Sequence, residues 1–539
     1  MYDSVMTNRT FKTGESRDQG SLLPARVEDY VGPDNPVRAI ESFVCVLDLA
    51  KLGFRHADRG AEGVGQPPYD PADLLKLYLY GYLNQIRSSR RLEREACRNL
   101  ELIWLLKNLK PGYRTIANFR KENWQALKAV NRTFVLLARE LGLVGGTVVA
   151  IDGALFHGNA SKASIFTRKR LTEQMAGLDK EIEAYGKSIE ANDATEAGQR
   201  TGDHGDGSGD LGAKVQELMA RRLRAQTDME ELEAGDEGQL SLTDPDARRL
   251  SKGDQTIAGY NVQSVVDDKH MLIVASEVVN SSDAGHLHAM ARATQEVLKT
   301  KSLQVLADAG YYNSMDLKAC EDDGIVAYLP PSEGNGILEK QGRFSRKDFS
   351  YDATADAYRC PANELLRPTQ GRWQNASGRI EIRYFGQKAI CGACSLRARC
   401  LNPKASYRSI ARWEHEDVLE RHRARMRSED ADKLMRRRSA IVEHPFGTIK
   451  CRAGYRHFLV RGFNKVRGEW SLMALCYNFT RALNILGFDQ FMARVAKALV
   501  SSQNALAAAM NCVQFVLQAF GLLFASPNAV RQLRSVQVR

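Results

Sequence analysis

The chain has 539 residues, too many for one hydrophobic core, so we expect three or four modules. Its 76 Lys and Arg against 65 Asp and Glu give a net charge of +11, which favours a polyanionic partner. The first 20 residues lack the apolar core of a signal peptide, and no uninterrupted apolar stretch reaches the roughly 18 residues of a membrane span. We therefore expect a cytoplasmic protein with no membrane partner, whose ten cysteines are thiols or metal ligands rather than disulfides.

Residues 35–130, after an N-terminal arm at 1–34, are predicted to form a helical domain. Pro71 opens one helix, and further on Leu92 and Ala96 lie on the apolar side of another whose opposite side is basic. A last helix carries Arg120 and Lys121. This basic face could bind DNA phosphates, although an ordinary solvated helix surface explains it equally well.

From residue 146 the apolar period changes to that of strands. The pattern predicts strand, strand, strand, helix, strand, helix, strand, and hence a mixed α/β sheet flanked by helices. The first strand, GTVVAID, ends at Asp152, and LQVLAD ends at Asp308. Between them lie a hairpin at 259–267 and 270–279 and a helix at 286–299, for which Asp283 is the candidate cap.

Two segments interrupt this order, so the core is predicted in two parts, 145–335 and 405–485. The first interruption, at 165–245, holds two exposed helices with a flexible Gly- and Asp-rich tip. The second, at 336–404, is a small cysteine-rich insertion. Residues 486–539 are expected to form a helical C-terminal tail.

Three acidic residues from separate parts of the chain could form a metal site. Asp152 and Asp308 each close a short apolar strand and are followed by small residues, which leaves room at the sheet edge where α/β proteins bind ligands. Glu443 is the sole acid between 433 and 467, a strip with ten Lys and Arg. Carboxylates bind hard divalent cations such as Mg²⁺ together with phosphate oxygens. Turn formation and a surface salt bridge are the simpler explanations for each acid taken alone.

The segments AIDGALFHGNASK, GYNVQSVVD, ADAGYYN and VEHPFGTIKCRAGYRHFLVRGFNKVRGEWSLMALCYNFTRAL resemble those of DDE transposases of bacterial insertion sequences. The branch in question has a helical N-terminal domain and a cysteine-rich insert. The resemblance covers roughly residues 20–485 and is weakest at 168–235. It implies an RNase H-like catalytic core in which Asp152, Asp308 and Glu443 are the catalytic residues and hold Mg²⁺ or Mn²⁺.

The family signature around the Glu also implies DNA-contacting residues. Lys450 stands seven positions after Glu443, where the signature has a Lys, and Arg438 is the best match to its Arg. Met435 stands where a Tyr is expected, and Tyr455 is a candidate for that role. Further phosphate contacts are expected from Arg437, Arg452 and Arg456. Pro445 should kink or break the helix just after Glu443.

The cysteine-rich insertion contains a candidate zinc site. Cys391 and Cys394 form a CxxC pair, Cys400 follows, and Cys360 lies upstream. Four thiolates can close a tetrahedral structural Zn²⁺ site, while unliganded thiols and a redox pair are the alternatives.

These features predict a transposase of an insertion sequence. It would bind double-stranded DNA at terminal inverted repeats, chiefly through the helical domain, then cut it and join it to target DNA as a homodimer or larger assembly. Two alternatives use the same residues. One is a metal-dependent nuclease without strand transfer, and the other is a DNA-binding relative that has no catalytic activity.

Overall fold

The computed structural model describes residues 26–57, 67–196, 208–235, 238–331, 337–375 and 378–497. These fall into two compact units, one within Met1–Leu47, Glu62–Ala117 and Phe488–Arg539 and the other within Asp48–Ala61 and Asn118–Gly487. In this described part of the chain, no helix has both the length and the apolar character needed to cross a membrane. Of the predicted N-terminal arm, residues 1–25 lie outside the described residues, and Val27–Tyr30 form a 3₁₀ turn. Of the C-terminal tail, residues 488–497 are helical and the remainder also lies outside them.

The first unit is helical, as predicted. It contains α1 (Pro36–Cys45), α2 (Pro71–Leu83), α3 (Ser89–Arg98), α4 (Leu100–Leu105) and the start of α5 (Tyr113–Glu122). Helix α2 is its centre, because Leu75, Leu77 and Tyr78 are fully buried. Helix α3 buries Leu92 and Ala96 and exposes the arginines Arg90, Arg91, Arg94 and Arg98. The predicted basic face is therefore present on α3.

The second unit holds the remaining elements. Its first part runs α6 (Trp124–Glu140), β1 (Val148–His157), β2 (Ile165–Thr167), α7 (Arg168–Glu196), α8 (Ser208–Ala234), β3 (Gln239–Ser241), β4 (Arg248–Lys252), β5 (Gln255–Asp267), β6 (Ile273–Val279), α9 (Leu287–Leu298), β7 (Leu303–Leu306), α10 (Ser314–Asp322) and β8 (Ile325–Tyr328). Its second part runs α11 (Ile337–Lys340), β9 (Ser350–Asp352), β10 (Ala357–Arg359), β11 (Leu365–Gln374), β12 (Ile380–Phe385), α12 (Lys388–Ala393), α13 (Arg397–Cys400), β13 (Ser409–Trp413), α14 (Glu416–Met426), α15 (Glu429–Gly447) and α16 (Phe463–Leu486).

The main sheet has the strand order β6-β5-β1-β7-β8, and β4 pairs with the first part of β5. Strand β5 is antiparallel to β1 and β6, whereas β7 is parallel to β1 and β8 is parallel to β7. This order and orientation are those of the RNase H-like fold, so the predicted fold class is confirmed. The edge strand β4 was not predicted, because RRLSK has no apolar alternation.

Strand β1 does not end at Asp152, as the sequence pattern predicted. It continues to His157 because β5 is long enough to pair with it throughout, from Val149 opposite Asp267 to His157 opposite Gly259. Asp152 therefore lies in the middle of a strand. The glycine after it, Gly153, does not mark a turn.

Helices α6 and α16 pack along each other, and a buried ion pair connects α5 to α16. Arg120, 7 % exposed, lies 3.7 Å from the Glu469 carboxylate, which is fully buried. Arg120 therefore does not contribute to a basic surface, whether DNA-binding or solvated, since its charge is used inside the protein. Its neighbour Lys121 is exposed.

The insertion at 165–245 forms the two predicted helices. Helices α7 and α8 pack against each other, and a short antiparallel ladder between β2 and β3 closes their base, with Ile165 opposite Ser241. The predicted flexible tip lies largely outside the described residues, but α8 already begins at Ser208.

The cysteine-rich insertion folds around its own antiparallel sheet, in the order β13-β12-β11-β10-β9. Tyr358, Leu366 and Tyr384 form the centre of its core. Because β13 completes this sheet, the insertion extends to Trp413 rather than ending at residue 404.

Helix α15 packs on β1, β5 and β7 and carries the basic strip over the sheet. It runs through Pro445 to Gly447 and continues as a π-helical turn, Thr448–Arg452. Of the predicted kink or break after Glu443, the break does not occur. A proline inside a helix costs about 3 kcal/mol. Pro445 and Phe446 are buried, and their packing offsets that cost.

Candidate active site

Asp152 and Asp308 come together because β1 and β7 are parallel neighbours. Ala150 pairs with Leu306, and each aspartate lies two residues further along its own chain. Asp308 has left the strand and begins a short 3₁₀ turn, in which its carboxylate accepts the Gly310 amide at 2.9 Å. Both side chains are partly exposed. The structure thus brings two of the three predicted acids together, beside the carboxyl end of β7.

The third carboxylate at this position is Asp283, which sequence reasoning missed. Oxygens of Asp152, Asp283 and Asp308 all lie within 4.8 Å of one another. The prediction of Asp283 as a helix cap is wrong: His286 holds that position, and the Asp283 side chain lies in the cluster. A signal was available in the sequence, because Asp-Ala-Gly follows a predicted strand at both 283–285 and 308–310.

Two amides from β5 fix Asp283. Asn261 Nδ2 and Gln263 Nε2 each donate to Asp283 Oδ1 at 2.8 Å. The side-chain oxygen of Gln263, Oε1, accepts from the buried Tyr311 hydroxyl. Burial alone would raise the pKa of Asp283, but the Asn261 hydrogen bond and the Lys252 charge outweigh it and lower that pKa. Asp283 is therefore held as a carboxylate.

Gly153 makes room for this arrangement. A Cβ at this position would lie 2.0 Å from Asp283 Oδ1 and 2.5 Å from Gln263 Nε2, closer than any real contact allows. The glycine after Asp152 is thus required by the approach of Asp283 to β1.

Lys252, the last residue of β4, bridges the cluster. Its ammonium lies 3.0 Å from Asp152 Oδ1, 3.0 Å from Asp283 Oδ2 and 2.7 Å from the Gly153 carbonyl oxygen. Burial raises the pKa of Asp152, and the charge of Lys252 offsets part of that rise. In turn, burial would lower the pKa of Lys252, but the two aspartates outweigh it and raise that pKa. No pattern in the sequence pointed to this lysine.

Glu443 lies on α15, on the same sheet, but is exposed and does not join the close group of carboxylates. Arg438, five residues earlier, is near enough to Asp152 for its charge to oppose the rise of that pKa. Its Nη1 is buried with no hydrogen-bond partner among the described residues. Arg438 thus has one N–H group near Asp152 that no described residue uses.

Lys450, on the π-helical turn, lies beside the site but does not contact the carboxylates through a hydrogen bond. Its ammonium donates to the Leu155 carbonyl at 2.8 Å and lies 4.5 Å from the centre of the Phe156 ring. Burial, together with the charge of Lys252, lowers the pKa of Lys450 to about 8. The lysine is held by β1, the strand that carries Asp152.

The other predicted phosphate contacts differ in their surroundings. Arg437 pairs with Asp268 at 2.9 Å, whereas Arg452 and Arg456 are exposed at the end of the π-helical turn. Arg456 donates to the Lys450 carbonyl at 3.3 Å. Tyr455, the candidate for the missing signature tyrosine, is only 4 % exposed, so its ring is not available to DNA.

The four cysteines of the insertion line one small cavity. Cys360 Sγ accepts a hydrogen bond from the Glu364 amide at 3.3 Å. Burial raises the pKa of the Cys400 thiol, and the neighbouring Cys391, Cys360 and Cys394 raise it further. Within the described residues, the aspartate cluster is the sole group of three or more metal-type ligand atoms within 4.8 Å of one another. The sulfurs therefore share a cavity without the close spacing that a tetrahedral site requires.

Two family models match the sequence. The model described as "Transposase DDE domain" matches residues 359–483, and "Transposase domain (DUF772)" matches residues 25–122. No curated protein matches the chain. Among solved structures, "Cryo-EM structure of piggyBac transposase synaptic complex with hairpin DNA (SNHP)" aligns over 93 % of this chain and 84 % of that chain, with 7 % identity and a TM-score of 0.30. A TM-score this low is not evidence of a shared fold.

Proposed function

We propose that this chain, which carries transposase-family sequence at 25–122 and 359–483, is the DNA transposase of a bacterial insertion sequence. It would act in the cytoplasm on terminal inverted repeats, cut them and transfer the freed 3′ ends to target DNA. The observation that carries the proposal is the meeting of Asp152, on β1, with Asp308, just after the adjacent strand β7, in an RNase H-like sheet on which α15 packs with its basic strip.

The donor set fits a divalent cation. Three carboxylates converge within 4.8 Å, and the buried Asn261 Oδ1 beside them has no hydrogen-bond partner among the described residues. Asp152, Asp308 and Glu443 would hold Mg²⁺ or Mn²⁺, with Asp283 as a further carboxylate. Such ions activate the attacking water or 3′-hydroxyl and stabilise the leaving oxygen of a phosphodiester.

The chain's own residues would orient the DNA. Arg438 and Lys450 flank Asp152 and can bind the phosphate at which cleavage takes place, while the exposed Arg452 and Arg456 bind the backbone beyond it. Arg437 would have to leave Asp268 to do the same. The Gln263–Asp283 hydrogen bond keeps the carboxylates in place as the charges around them change.

The exposed arginines of α3 are the proposed contact to the terminal repeats. Contacts of this kind bind phosphates and position a protein on the duplex, and each adds to the salt dependence of binding. Joining two ends of one element requires two active sites, so we expect at least a homodimer on DNA.

Strand joining tests the proposal. The protein should join a pre-cleaved terminal-repeat duplex to a target plasmid in Mg²⁺ or Mn²⁺, and the product should contain covalently linked donor and target strands on a denaturing gel. Cleavage without any joined product would favour the nuclease. Binding with neither product would favour the non-catalytic relative.

The cysteine cavity is proposed to hold a structural zinc ion once the sulfurs close around it. Protein purified without chelators should contain about one zinc per chain by mass spectrometry of metals, and Cys391→Ser with Cys394→Ser should lose it and lower the melting temperature. The matched control is Cys45→Ser with Cys97→Ser, which changes two exposed cysteines elsewhere. Absence of zinc from freshly purified protein, or equal zinc in both double variants, would contradict the proposal.

A further inference from the structure

The Lys252 ammonium is surrounded by oxygen atoms, as a bound metal ion would be. It has three N–H donors, and three oxygens surround it: one from Asp152, one from Asp283 and the Gly153 carbonyl, at 3.0, 3.0 and 2.7 Å. All of its donors are thus used within the carboxylate cluster. No other Lys or Arg of the described residues forms an ion pair with these two aspartates.

This position conflicts with the binding of a divalent ion. Mg²⁺ binds carboxylate oxygens at about 2.0–2.1 Å, so an ion on the oxygens of Asp152 and Asp283 would lie against the ammonium that already bridges them. The two positive charges repel each other and compete for the same oxygens. Binding of the ion is therefore coupled to movement of the ammonium.

Lys252 is the group that is able to move. It ends the edge strand β4, at a hairpin whose next residue, Gly253, has φ +58°, and its side chain is 40 % exposed. The long stem can turn toward solvent without disturbing the strand pairing, because the β4–β5 register depends on backbone atoms. The aspartates, in contrast, are fixed by β1 and by the amides of Asn261 and Gln263.

We infer that Lys252 is a resident cation of the active site: its ammonium neutralises Asp152 and Asp283 before a divalent ion arrives, and the ion binds by displacing it. The inference rests on the proposed metal site. The freed ammonium is then at the edge of the site, where it can bind a DNA phosphate. Lys252 is a positioning residue, because the position of its ammonium determines whether the oxygens of Asp152 and Asp283 are free to bind the ion.

Mn²⁺ titration of the full chain without DNA, followed by the electron paramagnetic resonance signal of free Mn²⁺, tests the inference. If the lysine occupies the site about nine-tenths of the time, Lys252→Met should bind Mn²⁺ about tenfold more tightly than the natural chain. Arg249→Met, which removes a charge from the same strand, should leave the affinity unchanged, and Asp152→Asn should weaken it.

The outcomes separate the two proposals. Binding that Asp152→Asn weakens but Lys252→Met leaves unchanged or weakens would overturn the role of Lys252 and leave the metal site standing. Absence of Mn²⁺ binding in every variant would overturn both.

A second measurement uses the natural chain and so does not depend on the folding of a variant. Reductive methylation of lysines, read by peptide mass spectrometry, should label Lys252 more in the presence of Mn²⁺ than in its absence. The exposed Lys169 should be labelled equally in both. Labelling of Lys252 that does not rise with Mn²⁺ would overturn the inference.

Discussion

Asp152→Asn should abolish DNA cleavage and strand joining, with a loss of at least about 10³-fold, while the protein still folds and binds terminal-repeat DNA. Loss of one preorganised group that stabilises developing charge costs about 10² to 10³ in rate, and Asp152 also contributes to holding the cation. The amide keeps the shape of the side chain and can still accept from Lys252. The folded state should therefore survive.

The measurement is single-turnover cleavage of a labelled repeat in Mg²⁺ and Mn²⁺, with binding followed by gel shift. Asp322→Asn is the matched control, since it removes an exposed aspartate that pairs with Lys318 away from the site. Cleavage by Asp152→Asn within tenfold of the natural chain, at equal DNA binding, would rule out Asp152 as a catalytic residue.

Substitutions of Glu443 and Asp283 should show which of these two acids acts with Asp152 and Asp308 in cleavage. Glu443→Gln should lower cleavage by at least about 10²-fold, because the proposed triad needs this carboxylate. Asp283→Asn should cost about 10- to 100-fold, as expected for a group that supports the ligands of a metal. Both variants should bind the repeat as the natural chain does, since neither residue is in α3.

The same cleavage and gel-shift assays compare these two variants. The comparison distinguishes two positions, because Asp283 lies in the cluster with Asp152 and Asp308, whereas Glu443 is exposed outside it. Full activity in Glu443→Gln combined with none in Asp283→Asn would assign the third position to Asp283. That result would contradict the triad implied by the family resemblance while keeping the metal site.

The sequence predicted the parts of the site that follow from strand patterns. Asp152 and Asp308 stand at short apolar runs of the length and composition typical of buried strands, and their meeting follows from the parallel pairing of β1 and β7. The order of strands and helices along the chain follows from the same patterns, whereas the RNase H-like sheet was implied by the family resemblance. The exposed arginines of α3 follow from helical periodicity around Leu92 and Ala96.

The residues that sequence reasoning missed depend on tertiary packing. Asp283 precedes a helix, so the local rule for helix caps explained it without reference to β1. Lys252 ends a polar edge strand that has no apolar signal, and its role appears only when β4 pairs with β5. Arg120 looked like part of a basic surface, but Glu469, almost 350 residues later, removes it from the surface.

The short β2–β3 ladder at the base of the helical insertion has a consequence for how the chain can change. It closes the ends of α7 and α8 against each other, so the insertion leaves and re-enters the core as two neighbouring strands. Beyond this ladder, α7 and α8 pack on each other. The α7–α8 pair beyond the ladder can therefore gain or lose whole helical turns over evolutionary time without shifting the register of β1 against β5. The aspartates stay in place while the length of this helix pair varies.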